Sequence, residues 1–276
     1  VRRLLKWTDI LILAASVAIA ALAYLRKSLT LAGYAFAIVL ALGLYLAGGV
    51  QFIVLLLVFF ISSTLLSKFK NSIKHVLEAK LSPKNNQRDH IQVLANGGPA
   101  LIMAMMFVWS GDPAYSMAVS AAFAASNADT WASELGILSK AEPVSFVTGK
   151  PVRRGLSGGV TLAGFAASLA GAALIALASS LFAVNKLPAA SLAIHFLMIT
   201  LSGLTGSLID SLLGDTLQSK YLDHAGEITE KSHSDGKPHK LHRGLAFINN
   251  DLVNFASGLL AALLLLAAVR LTGSGI

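Results

Sequence analysis

Two pairs of acids stand inside apolar runs of this 276-residue chain, and both have the same spacing. Asp129 and Glu134 bracket Asp129-Thr130-Trp131-Ala132-Ser133-Glu134; Asp210 and Asp215 bracket Asp210-Ser211-Leu212-Leu213-Gly214-Asp215. An ionised side chain at membrane depth costs about 2.5–3.5 kcal/mol on the gentlest insertion scale. Four such acids need a partner, and a divalent cation with a phosphate beyond it meets that need. Five residues on a regular helix carry a side chain ~140° past one full turn, so the members of a pair do not share a face. Counted from Pro113 at ~1.5 Å per residue, Asp129 lies ~24 Å down its span and Glu134 near the surface. Asp129 and Asp210 are therefore the metal candidates. Glu134 and Asp215 are expected at the rim, as second ligands, bases or partners of loop cations. The alternative is that the acids pair with Arg or Lys and lock the helices together.

A second group is the run Gly149-Lys150-Pro151-Val152-Arg153-Arg154-Gly155-Leu156-Ser157-Gly158-Gly159, which leads into an apolar span. Ser157, Gly158 and Gly159 at a helix start would leave backbone N–H groups free for an anion. Lys150, Arg153 and Arg154 add positive charge, and arginine offers a two-pronged grip on phosphate oxygens. The same residues would equally serve as a basic anchor with glycines for close packing. A third group holds amides: Gln92, Asn96, Asn249, Asn250 and Asn254, beside Asp251. Asn250 and Asn254 are four apart and share a helix face, where they line a polar site or glue helices together. Asn96-Gly97-Gly98-Pro99 is expected to break its span and offer open backbone to a ligand. His224, His233, His239 and His242 crowd one connection, but their spacing fits no zinc pattern and reads as a solvated, mobile loop.

The elements that must position these groups are membrane helices. Apolar residues make up 55% of the chain and charged residues only 13%. The fold expected is an all-α polytopic transmembrane bundle in one integral membrane domain, with about eight spans at 8–25, 31–48, 50–67, 93–109, 113–136, 156–182, 189–215 and 244–269. The first span reads as a retained helix rather than a cleaved leader. There are no cysteines, so thiolate sites and disulfides are excluded. The net charge of +8 sits in connections 26–30, 68–92, 137–155 and 216–243, which hold all but five of the 22 Lys and Arg. That asymmetry faces those connections to the cytoplasm, puts the N-terminus outside, and points to anionic membrane lipids rather than nucleic acid. Three hairpins repeat weakly across this scheme: each enters through a polar helix end and returns through a Gly- or Asn-rich start.

Together the motifs resemble a family of integral membrane proteins that includes the phytyl-phosphate kinase of plants and cyanobacteria and human transmembrane protein 19. The resemblance runs through Arg88-Asp89 and Gln92 to Gly98, Ala128 to Gly136, Arg154-Gly155, Gly158 to Val160, Gly206-Ser207, Asp210-Ser211, Gly214, and Asn249 to Phe255. The plant members are similar to CTP-dependent polyprenol kinases. The resemblance implies a Mg²⁺-dependent kinase at the cytoplasmic face of the cell membrane, converting an isoprenoid monophosphate to its diphosphate with CTP. On that reading Asp129 and Asp210 hold Mg²⁺, while Lys150, Arg153, Arg154 and the backbone of Ser157 to Gly159 hold the phosphate chain. Asn96, Gly97, Gly98, Asn250 and Asn254 complete the nucleotide site, and Glu134 or Asp215 orients the acceptor. A cytidylyltransferase making a CDP-lipid, a transporter and a lipid-binding scaffold are the competing readings.

Overall fold

The structure is a computed structural model and describes residues 7–68, 87–234 and 236–272. Arg2, Arg3, Lys6, Asp235 and most of the basic 68–92 connection lie outside the described residues. Among the described residues there are eight α-helices: α1 (Trp7–Leu25), α2 (Leu31–Gly48), α3 (Val50–Ser67), α4 (His90–Ser110), α5 (Pro113–Gly136), α6 (Leu162–Ala183), α7 (Ala189–Thr216) and α8 (Asn250–Thr272). Seven of them are long and apolar enough to cross a membrane; α5 is not among these. It is shielded instead, packing against α3, α4, α6, α7 and α8. Every residue from Met117 to Ala128 on it is buried.

Local chemistry sets the helix starts. The Thr30 hydroxyl accepts from Gly33 N at 3.0 Å, and Thr161 Oγ1 does the same for Gly164 N. Asp112 caps α5 ahead of Pro113, whose missing N–H costs nothing at the first helical position. Asp89 and Gln92 form a reciprocal capping box at the start of α4. Two predicted starts are corrected. The sixth span begins at Leu162 rather than 156, and the eighth at Asn250 rather than 244, because folded loop structure occupies the residues before each.

Small residues let the helices around α5 come close. A Cβ on Gly203 would sit 2.7 Å from Ala124 Cβ, and one on Gly206 would sit 2.4 Å from Ala125 Cβ. Polar ties cross the same core. Asn127 is fully buried, accepts from Ser62 Oγ at 2.8 Å and donates to the Gly171 carbonyl at 2.8 Å. Farther along, Ser120, Ser179 and His195 form a buried chain through α5, α6 and α7.

The bundle is the expected all-α polytopic membrane fold, and among the described residues short strands form only in its connections. β1 (Val144–Ser145) pairs antiparallel with β2 (Gly159–Val160). Between α7 and α8 the His-rich segment folds as β3 (Lys220–Leu222), flanked by β4 (Ile228–Thr229) and β7 (Lys240–Arg243), with the hairpin of β5 (His233–Ser234) and β6 (Lys237–Pro238) attached. A mobile loop is not what the sequence forms there: His239 Nδ1 meets the Lys231 carbonyl and its Nε2 meets Ser234 Oγ, each at 2.8 Å.

Candidate functional site

At the loop end of the bundle a cavity of about 1070 Å³ opens between α3, α4, α5, α6, α7 and α8. Asp129 and Glu134 reach it from α5 and Asp210 from α7, and Asn96, Asn250 and Asn254 line it as well. Both acids of the α5 pair enter one cavity although α5 is unbroken, because the cavity is wide enough to meet two of its faces. Asp129 and Asp210 lie within electrostatic reach of each other. Ser257 Oγ donates to Asp210 Oδ2 at 3.0 Å, and the Asn254 amide, turned to satisfy its neighbours, places its nitrogen 3.0 Å from the same oxygen. Both donors fall on Oδ2. Among the described residues Oδ1 of Asp210 and both carboxylate oxygens of Asp129 receive none. Glu134 sits differently: it accepts from Ser67 Oγ at 2.5 Å and so ties α5 to the end of α3.

The predicted phosphate cradle is corrected. Lys150 is exposed and does not line the cavity. Arg153 points the other way, pairing with Glu227 at 2.8 Å and donating to the Ile228 carbonyl. Arg154 lines the cavity, but its guanidinium is bound to the carbonyls of Ile137, Ser139 and Ala141, so it pins the chain leaving α5. Ser157 to Gly159 do border the cavity without forming an open helix start. The Ser157 N–H donates to Glu230 Oε1 at 2.8 Å, and the Gly158 carbonyl accepts from Phe146 N at 3.0 Å.

Gly97 and Gly98 are packing positions, and α4 runs through Pro99 without a break. A Cβ on Gly97 would lie 2.3 Å from Leu40, and one on Gly98 would lie 2.9 Å from Phe255. The glycines admit neighbouring helices rather than a ligand.

Of the roles expected for Asp215, the structure gives it that of a partner to loop cations, away from the cavity. It is 2% exposed and lies outside the cavity lining. Ser145 Oγ donates to it at 2.5 Å and Val147 N at 3.1 Å, with Arg243 Nη1 at 3.4 Å and Lys220 Nζ at 3.9 Å. Gly158 is pressed against it with φ +84°, where an added Cβ would lie 2.4 Å from Asp215 Cβ. The residue clasps the 137–161 and 216–249 connections to the end of α7. Lys220 completes the clasp by donating to the Ser157 carbonyl at 2.8 Å, and burial pulls its pKa below the ordinary lysine value.

Sequence reasoning assigns no chemistry to two cavity residues, although Arg88-Asp89 opens one of the family-like stretches. Glu230, half-buried between β4 and β5, faces Asp210 from the folded connection. Arg88 stands just before α4, with its guanidinium 5.9 Å from the centroids of the Phe59 and Phe60 rings. Among the described residues no group of three or more His, Asp or Glu side chains is placed to hold a metal by itself. A pair of carboxylates suffices for Mg²⁺ when substrate phosphates and water complete its shell.

A family model described as "Integral membrane protein DUF92" matches residues 14–262. The chain is 35% identical over 263 residues to Protein PGR of Arabidopsis thaliana, covering 87% of this chain and 89% of that protein. It is 34% identical over 176 residues to an uncharacterized membrane protein of Methanocaldococcus jannaschii, covering 62% of this chain and 67% of the relative. No solved structure matches.

Proposed function

The chain belongs to the DUF92 family of integral membrane proteins, and we propose that it is an isoprenoid-phosphate kinase, turning a prenyl or phytyl monophosphate into the diphosphate with Mg²⁺ and CTP at the cytoplasmic face of the cell membrane. One observation carries this reading above the others. Two carboxylates from different helices, Asp129 and Asp210, face one cavity with three oxygens that no described protein donor satisfies. Carboxylates left so at the end of a membrane bundle suit a hard cation better than a structural ion pair.

Asp129 and Asp210 would hold the Mg²⁺. When bound, the ion neutralises phosphate oxygens and the charge that accumulates on the transferring group. The chain's own residues then act by positioning. Ser257 and Asn254 fix the Asp210 side chain through Oδ2 and leave Oδ1 turned to the site. An oxygen of the acceptor monophosphate attacks the γ-phosphorus, the bond from that phosphorus to the bridging oxygen breaks, and CDP leaves with the electron pair. The second ionisation of a phosphate monoester lies near pH ~6, so the nucleophile needs no strong base. Glu134, held by Ser67, is free of that duty and fixes the mouth of the cavity between α3 and α5. Phe59, Phe165 and Leu208 give the wall an apolar stretch for the isoprenoid tail. The choice of CTP rests on the resemblance to the phytyl-phosphate kinase.

Product analysis with purified protein, phytyl monophosphate, CTP and Mg²⁺ tests the proposal. CDP and phytyl diphosphate in equal amounts are expected. Pyrophosphate with a CDP-lipid would mean a cytidylyltransferase, and solute movement across liposomes without nucleotide turnover would mean a transporter.

A further inference from the structure

Resting on that phosphoryl-transfer reading, we infer that Arg88 grips the phosphate oxygens of the ligand, a task left open because Lys150 and Arg153 lie away from the cavity and Arg154 is bound to backbone carbonyls. The observations come from three directions. Arg88 lines the cavity that Asp129 and Asp210 also line. Its Cζ lies over the rings of Phe59 and Phe60, 5.9 Å from each centroid and within cation–π reach. Among the described residues it receives no hydrogen-bond acceptor, although it carries five donors. Glu134 lies within electrostatic reach and supports the cation. Burial works the other way and pulls the Arg88 pKa down, yet the group stays charged at physiological pH because an arginine starts so high.

The backbone beneath this side chain is held on every side. Arg88 N donates to the Ser28 carbonyl at 2.9 Å, and Thr30 N donates to the Arg88 carbonyl at 3.1 Å. The next residue, Asp89, is locked in the capping box of α4. Gly33 lies under the turn, where a Cβ would stand 2.4 Å from the Arg88 carbonyl oxygen. Such anchoring gives the two-pronged donor a fixed direction, which is what binding a phosphate requires. A solvated surface cation needs none of it. The cavity thus has an acidic pole for the metal and a cationic pole for the anion, and a phosphate bridging them meets both.

The shared chemistry is a phosphate, carried either by the acceptor lipid or by the nucleotide. The test titrates the full chain in detergent with phytyl monophosphate, with phytol and with CTP plus Mg²⁺, each alone, for wild type, Arg88→Gln, Arg88→Lys and Gly33→Ala. Arg88→Gln should weaken a phosphate-bearing ligand at least about tenfold, and Arg88→Lys less, because charge survives while the fork is lost. Gly33→Ala should reproduce part of the loss without changing any charge. Phytol binding should not move. Loss confined to phytyl monophosphate assigns Arg88 to the acceptor, and loss confined to CTP assigns it to the donor. A merely structural Arg88 predicts a lower melting temperature with equal weakening of phytol and its phosphate, and that result overturns the inference. So does unchanged phosphate binding in Arg88→Gln, or a wild type that binds neither phosphate probe. Binding is read without turnover: Arg88-dependent phosphate binding in a protein that releases no CDP would overturn the kinase reading and leave this one standing.

Discussion

Asp210 and Asp215 share one helix, lie five residues apart and are both buried, yet they belong to different machinery. Asp210 offers one oxygen to Ser257 and Asn254 and lines a cavity it shares with Asp129. Asp215, on a different face, is surrounded by Ser145, Val147, Lys220 and Arg243, all from the connections that fold over the helix end. The first keeps an oxygen with no donor among the described residues; both oxygens of the second are taken. An acid in an apolar helix thus declares its role by which partners the protein supplies.

Substitution should separate the two acids most sharply. Asp210→Asn, with Asp129→Asn as its counterpart, is expected to lower turnover by about a thousandfold or more while the melting temperature stays close to wild type, since each removes charge from a ligand site. Asp215→Asn should do the reverse. It leaves Arg243 and Lys220 without their counter-charge, costs about 2 kcal/mol of stability and lowers activity only as far as folded protein is lost. Equal losses of turnover in a fully folded Asp215→Asn would erase the distinction. Gly158→Ala probes the clasp from its other side. A side chain at φ +84° pressed on Asp215 should cost about 1–3 kcal/mol by thermal melting, with the metal site intact.

A smaller effect links the two regions through Glu230. Burial pushes its carboxyl above the ordinary glutamate range, against the pull of the Ser157 N–H and hydroxyl, Lys220 and Gln218. The folded state therefore holds this proton more tightly than the unfolded chain. That contribution to stability is complete below the ordinary glutamate value and is lost as pH rises through the elevated folded value. The melting temperature of wild type should fall relative to Glu230→Gln over that interval, and parallel curves would remove Glu230 from the account.

The spans were legible because their apolar runs match the thickness of a bilayer, and even α5, rich in Ala and Ser, was marked by its capped start and flanking turns. Asp129 and Asp210 were legible because an uncompensated carboxylate at that depth needs a partner wherever the chain folds. Asp215 was legible only as a set of alternatives (second ligand, base or partner of loop cations), and the folding of two connections over it selects the last. The connection between α7 and α8 was hidden because strands of two to four residues are too short to show an alternating pattern. Gly97 and Gly98 looked like a break because a glycine in sequence does not say whether a ligand or Leu40 takes the space. Arg88 opens a family-like stretch but its spacing suggested no chemistry, although the Asp89–Gln92 capping box beside it marks a fixed helix start at which a cation would be held in place.

The most direct test of the central claim is divalent-ion binding by the purified chain, read with Mn²⁺ as a spectroscopic probe and Mg²⁺ as competitor. The account predicts saturable binding in wild type and in Asp215→Asn, sharply weakened in Asp129→Asn and in Asp210→Asn, and strengthened by CTP only where both carboxylates remain. Undiminished binding in Asp129→Asn and Asp210→Asn, or its loss in a folded Asp215→Asn, would contradict it.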